Sequence, residues 1–433
     1  MVKYITRRER WFPSLLKIIF LCKVFLFRNK TKNMKTIIKI IIIIFGIVSC
    51  QISTRKEESK IRTFDLREKP EISEIKLSDL GFFDIEYIPL ETTDQSAIGR
   101  FGLRSVTDRF IIGDSFYIIK QFNSIVKFRD DGSFETRIGT VGRGPTEFQV
   151  AHDIDIDKEN HKIYLVSGFQ EKFNVYSETG EFLKTFKIPI HAPIQFRLND
   201  NNILCYLDNL QGNIENSFVV IDTLGEIIKN FPNKYPFTLN KKGATGVGQE
   251  NLFYQFNNRL FKKEVYSDTI YVFEDMVFKP HIVIEVGDRQ LTPEARAKYD
   301  LFHLAENFIS PIHLFEFGDY VYYEYKYRII PKSNNLLYGF IGSKTTDFQA
   351  FIDADQGLIN DLDGGPNILP ETIKDNNTLI SWTEAINIKK HVASDTFRNS
   401  RPKYPEKKNE LEKLASGLKE TDNPVLVLVS LKK

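Results

Sequence analysis

The chain has 433 residues, 42% of them hydrophobic and 27% charged, which supplies enough apolar surface for a large core and excludes disorder over most of its length. With 59 basic against 57 acidic residues the net charge is +2, too weak a field to gather nucleic acid or an anionic membrane surface non-specifically. The length admits two or three domains or one large repeat fold, and 36 Phe with 18 Tyr lean toward an all-β chain, because aromatic side chains suit a pleated surface.

Residues 1–33 carry an apolar cluster from Leu15 to Phe27, broken by Lys17 and Lys23. They read either as an over-extended reading frame ahead of a start at Met34 or as an upstream amphipathic segment. From Met34 to Cys50 a basic start leads into an apolar run and ends Ile47-Val48-Ser49-Cys50, the layout of a secretion signal. The apolar stretch after Lys39 is short of the roughly 20 residues a membrane-spanning helix needs. The small residue before Cys50 resembles a lipobox, in which the thiol is alkylated with diacylglycerol and the chain is cleaved at the cysteine. Residues 34–50 are therefore expected to be a lipoprotein signal peptide, Cys50 the lipidated anchor, and the protein exported to the cell envelope, at the outer membrane with its side open. Residues 51–81 are polar and charged, which suits a tether.

From Phe82 a pattern recurs: an apolar strand, a turn ending in glycine, and a second short apolar run. It appears at Ser124 to Phe134, Lys172 to Phe182 and Ser217 to Ile227, with turn glycines Gly132, Gly180 and Gly225. Those glycines are 48 and 45 residues apart, the period of a four-stranded propeller blade. Each supplies the positive φ that a tight hairpin turn needs. A further strand pair precedes each hairpin, as in Phe110 to Ile119 and Ile154 to Val166, so two hairpins make a blade. Later repeats at Asn258 to Phe273, Tyr320 to Phe351 and Asn376 to Ile388 bring the count to six. Between the fourth and fifth, Thr292 as N-cap, Pro293 at the first helical position and Glu294 in the first turn mark a helical insertion. A second helix, about Lys407 to Lys419, precedes a last apolar strand, Val425 to Leu431, expected to close the ring against Asp84 to Leu90.

Gly139-Thr-Val-Gly142-Arg-Gly144-Pro145-Thr-Glu147-Phe148 resembles the glycine-rich signature of the six-bladed, NHL-like β-propeller lipoproteins of Bacteroidetes. Ile88-Pro89-Leu90-Glu91-Thr92, Asp268-Thr-Ile-Tyr271, Asn360-Asp361-Leu-Asp363-Gly364-Gly365-Pro366 and Asn423-Pro424-Val425-Leu426 are similar to other stretches of that family. The departures are Thr146, where a second glycine is usual, and Ile368-Leu369, where aromatic residues often stand. The resemblance implies an exported six-bladed propeller over residues 82–433 and lends no catalytic residue.

Candidate chemistry is sparse. Gly139 to Phe148 superficially suggests a phosphate cradle, yet such a loop opens a helix and here a strand follows. Its glycines and Pro145 are read as shaping the crossing between blades, with Phe148 in the groove between them. Asp153-Ile-Asp155-Ile-Asp157 begins like a calcium loop, but Lys158 stands where that loop needs glycine and the isoleucines alternate as in a strand. Asp361 and Asp363 are the better candidates for a divalent cation, the alternative being a side-chain-capped turn. Tyr323 and Tyr325, in the run Tyr320 to Tyr327, are candidate sugar-stacking residues, against core packing with one exposed tyrosine row. The seven histidines lack zinc-type spacing, no nucleophile elbow is present, and Cys205 reads as a small buried hydrophobe. No cofactor is predicted. Arg143, flanked by Gly142 and Gly144, has room to project toward an anionic ligand group, or it is braced by Glu147. These features favour a binding or scaffold propeller on the envelope, without catalysis, whose partners are the membrane through its lipid and a glycan, peptide or envelope protein, with no nucleic acid. The alternative is a metal-dependent hydrolase or lyase in the central channel.

Overall fold

A computed structural model of the chain describes residues 61–432 except 69, 100, 103–107, 190–194, 241–247 and 329–336. The leader, Cys50 and the tether up to residue 60 lie outside the described residues.

Strands β1 (Arg62–Asp65) and β2 (Phe82–Pro89) precede the first complete blade. Blade 1 is β3 (Arg109–Ile112), β4 (Phe116–Gln121), β5 (Ser124–Arg129) and β6 (Phe134–Arg137). Blade 2 is β7 (Asp153–Asp157), β8 (Lys162–Ser167), β9 (Lys172–Ser177) and β10 (Phe182–Lys187). Blade 3 is β11 (Gln195–Asn199), β12 (Asn202–Tyr206), β13 (Asn216–Asp222) and β14 (Ile227–Pro232). Blade 4 is β15 (Asn251–Phe256), β16 (Arg259–Glu264), β17 (Thr269–Glu274) and β18 (Val277–Glu285). Blade 5 is β19 (Ser310–Phe317), β20 (Tyr320–Lys326), β21 (Leu337–Ser343) and β22 (Gln349–Asp353). Blade 6 takes β23 (Thr372–Ile373), β24 (Thr378–Thr383) and β25 (Val425–Leu431) from the end of the chain and β2 from its beginning. The molecule is an all-β, six-bladed propeller.

The recurring hairpins are the third and fourth strands of blades 1 to 3, and their turn glycines have φ of 84°, 86° and 95°. Blades pack face to face, so the middle strands are buried on both sides and read as continuous apolar runs. In β12, Ile203 and Cys205 lie in the layer shared with blade 2 while Leu204 and Tyr206 lie in the layer shared with blade 4, the period of two that a strand imposes. Cys205 is fully buried, and burial pushes its thiol pKa up, as expected of an inert core cysteine. Outer strands have one wet face, and β10 alternates half-buried and exposed along its length.

The ring closes where β2 pairs antiparallel with β25, Phe82 opposite Leu431 through Pro89 opposite Val425. The expected tether is too long, because structure begins about twenty residues before Phe82. β1 adds a parallel strand to the outer edge of blade 4, Arg62 opposite Ile282 and Asp65 opposite Glu285. Bridges from Ile72 to Phe351 and from Lys76 to Ile359 then carry the segment past blade 5. Phe64, Leu66, Leu77 and Leu80 are buried, which explains the docking: four apolar anchors among polar residues are enough to hold a strap although the average composition is that of a linker.

The helical insertion starts as read, with Thr292 Oγ1 accepting from the Ala295 N–H at 3.1 Å. It splits into two helices, Pro293–Lys298 and Leu301–Asn307, because Asp300 caps the second by accepting from the His303 N–H at 2.9 Å. The C-terminal helix runs Pro405–Gly417 and is joined by Ala385–Val392 and Asp395–Asn399. The reading of Asn376 to Ile388 as strands therefore ends too late. After β24 the apolar residues Ala385 and Ile388 are three apart and bury one helical face with Phe397, Leu411 and Ala415.

Candidate functional site

Strand alternation sorts the connections by face. Turns from first to second and third to fourth strand lie on one face, and second-to-third and blade-to-blade connections lie on the other. That second face gathers the glycine-rich loop, both helical insertions and the long connections. The first strands of all six blades line a central cavity of about 450 Å³ that draws on Arg109, Asp153, Arg197, Asn251, His313 and Glu371, among others, a volume typical of small-ligand pockets.

Asp153 ties three blades together on one wall. Arg109 Nε of blade 1 stands 3.1 Å from its Oδ1, and Arg197 Nη1 of blade 3 stands 2.8 Å from its Oδ2. The same Oδ2 accepts from the Phe196 N–H at 3.0 Å, and Asp155 Oδ2 accepts from the Leu198 N–H at 2.8 Å. Burial alone would raise the Asp153 pKa, but Arg197, Arg109 and Lys120 outweigh it and hold the carboxyl below its usual range. Asp155 lacks that surplus, and burial raises it. Burial also lowers Arg109 to about 10 and Lys120 to about 8. His152 is lowered by burial and by Lys120, which suits an Nδ1 that accepts from the Gly168 N–H at 3.0 Å. Across the channel, His313 Nδ1 lies 3.6 Å from Glu324 and 3.8 Å from Glu371.

Blades 3 and 4 contribute uncharged polar groups. Gln195 Nε2 donates to Gln249 Oε1 at 3.1 Å, and Asn251 Nδ2 donates to Gln195 Oε1 at 3.3 Å. Asn251 is 1% exposed, yet among the described residues its Oδ1 has no hydrogen-bond partner. Glu250, between the two ladder residues, holds this segment from behind. Its carboxylate accepts from Tyr206 Oη and the Asn209 N–H, both at 3.0 Å, and from Arg296 Nη2 at 2.5 Å. Arg296 is fully buried on the helix Pro293–Lys298, so the inserted helix positions the channel wall.

The residues singled out in the sequence lie apart. Arg143 is exposed on the connection between blades 1 and 2 and is not in the cavity wall. Glu147, its expected brace, instead accepts from the Gly144 N–H at 2.7 Å, and a Cβ at Gly142 would collide with that carboxylate. Lys172 Nζ donates to the carbonyls of Pro145 at 3.0 Å and Glu147 at 2.7 Å, so the loop turns carbonyls, not a phosphate cradle, toward its anchor. Phe148 is buried among side chains of blades 1 and 2. Tyr323 and Tyr325 are 1% and 0% exposed, so neither belongs to an exposed row. They lie on β20, the second strand of blade 5, which is covered on both faces. Asp361 accepts from Ser78, N–H at 3.1 Å and Oγ at 2.5 Å. Asp363 accepts from Asn360 Nδ2 at 2.7 Å and the Gly365 N–H at 2.8 Å. The two aspartates thus turn to different partners, and among the described residues no group of three or more His, Cys, Asp or Glu stands close enough to hold a metal. The channel groups carry a faint signal in the sequence: Asp153, Arg197, Asn251 and His313 are polar residues inside short apolar strands at the start of a repeat.

The family described as a domain of unknown function, DUF4934, matches residues 61–430. No curated protein matches by sequence. Among solved structures the chain is similar to a candidate exported protein of Bacteroides fragilis, at 17% identity and a TM-score of 0.62, covering 86% of this chain and 100% of that one. A member of the DUF4221 family from Bacteroides vulgatus aligns at 11% identity and a TM-score of 0.49, over 81% of this chain and 97% of that one.

Proposed function

The chain belongs to the DUF4934 family of unknown function, and from its own site we propose that it is a binding propeller of the cell envelope that recognises a glycan, peptide or envelope protein without catalysis. The observation that carries this reading is the cavity of about 450 Å³ walled by all six inner strands, one end of which meets the face on which the long connections gather. Recognition sites favour this layout, in which a rigid scaffold presents loops around a concave pocket. Arg143, exposed on that face, is proposed as an outer contact for an anionic group of the ligand. The test is binding to arrays of envelope glycans and peptides. Arg143→Ala is expected to weaken capture tenfold or more with little change in melting temperature, and unchanged affinity would remove Arg143 from the site.

The leader supports an export route with Cys50 as the lipid anchor, a tether leading from it to the strap. Cys50→Ser is expected to leave the protein unprocessed or soluble. A variant that still fractionates as a processed membrane lipoprotein would overturn the anchor.

A further inference from the structure

We infer that the channel wall between blades 3 and 4 takes a neutral polyhydroxylated ligand, one or two sugar rings, held by the amide ladder Gln249, Gln195 and Asn251. The inference rests on the channel being the binding site and names what it binds.

The polarity of the ladder is the first argument. Gln195 donates to Gln249 and Asn251 donates to Gln195, so one end of the ladder is left with an acceptor and the other with a donor. The acceptor is Asn251 Oδ1, buried in the cavity wall and without a partner among the described residues. A buried polar atom left unpaired costs about 1–3 kcal/mol, and a ligand hydroxyl would satisfy it. At the other end, among the described residues, Gln249 Nε2 donates to no group, and Gln249 is half-buried at the wall. Hydroxyl groups donate and accept at one atom, so adjacent hydroxyls of a sugar ring suit both ends.

Charge is the second argument. Arg109 and Arg197 already face Asp153, and the backbone N–H groups of Phe196 and Leu198 satisfy Asp153 and Asp155. A neutral ligand at this wall leaves these pairs intact. Preorganisation is the third. Glu250 fixes the chain between Gln249 and Asn251 through Tyr206, Asn209 and Arg296, so little ordering remains to be done on binding.

The test is calorimetric titration of the full chain with glucose, N-acetylglucosamine and chitobiose, with galacturonate and a neutral tetrapeptide as the other arms. A neutral sugar is expected to bind, and Asn251→Ala and Gln249→Ala are each expected to weaken it tenfold or more. Should Asn251→Ala fail to fold, Gln249→Ala at its half-buried position carries the test. Sugar binding unchanged in the folded variants would overturn the inference. Binding of galacturonate or the peptide in preference to sugars, lost in the same variants, would overturn the ligand class and leave the channel as a binding site. Failure of every titration, together with no capture on the envelope arrays, would overturn the binding reading itself.

Discussion

Asp153 shows how one side chain can be read correctly in its strand and still not be understood. The alternation of Asp153, Ile154, Asp155 and Ile156 identifies a strand, and β7 is one. What Asp153 does there depends on Arg109 and Arg197, each about 44 residues away on neighbouring blades, and no local pattern encodes that meeting. Removing the carboxylate leaves two guanidinium groups in the wall without their counter-charge, so Asp153→Ala is expected to cost about 3–5 kcal/mol, measured by urea unfolding at pH 7. The pH dependence follows from the lowered pKa of Asp153. A carboxyl whose folded pKa is below its unfolded value, about 3.9, contributes stability above that pH, and the contribution is lost as pH falls through the folded pKa. Wild type should therefore lose stability below about pH 4 more steeply than Asp153→Ala, and equal acid slopes would remove the ion cluster as a stabilising element. The tyrosines of β20 failed for a related reason. Tyr323 and Tyr325 are two apart and share a face, but only the packing of blade 5 between its neighbours decides that this face is dry.

At the scale of elements, legibility followed the strength of the local signal. Thr292-Pro293-Glu294 marked a helix start because capping is local chemistry, and Thr292 does cap. The start of the helix Ala385–Val392 falls inside what the sequence marks as a strand repeat, since a short apolar run fits either period. The strap reads as linker because its anchors are widely spaced among charges. Phe64 is the sharpest test of the docked strap. Its ring is fully buried, 5.2 Å from Phe340 in an edge-on contact, with the Arg62 guanidinium 4.9 Å over it. Phe64→Ala is expected to cost about 3–5 kcal/mol, as for other fully buried aromatic rings, read from chemical denaturation. A free tether would show no change, and that result would return residues 61–66 to the linker.

For the whole molecule the repeat itself was the readable feature, because each blade must solve the same problem of burying two faces and so repeats its apolar runs and turn glycines. Blade 6 is the least readable inside, since three helices separate β24 from β25, while its closure by β2 against β25 is as the sequence predicts. That arrangement makes closure the step on which the ring depends. β25 lies between β2 and β24, bonded to both, and Val425 through Val429 are buried. Deleting Asn423 to Lys433 would remove the ladder on either side at once. It would bare the edge of β24, leave β2 without a sheet and free the end of the strap that crosses blades 4 and 5. Bare strand edges invite pairing with other chains, so the truncated protein is expected to aggregate or to elute as high-mass species in gel filtration, with no cooperative melt. The same deletion also loses Asn423, whose Nδ2 donates to the carbonyls of Glu91 at 2.8 Å and Ser96 at 3.0 Å and thereby fastens the connection from blade 6 to blade 1. Asn423→Ala separates the two contributions, because it cuts only that fastening and leaves the ladder whole. It should lower the melting temperature and keep a monomeric, cooperatively melting protein. A truncated chain that stays monomeric with unchanged thermal stability would mean that the ring does not rely on this closure.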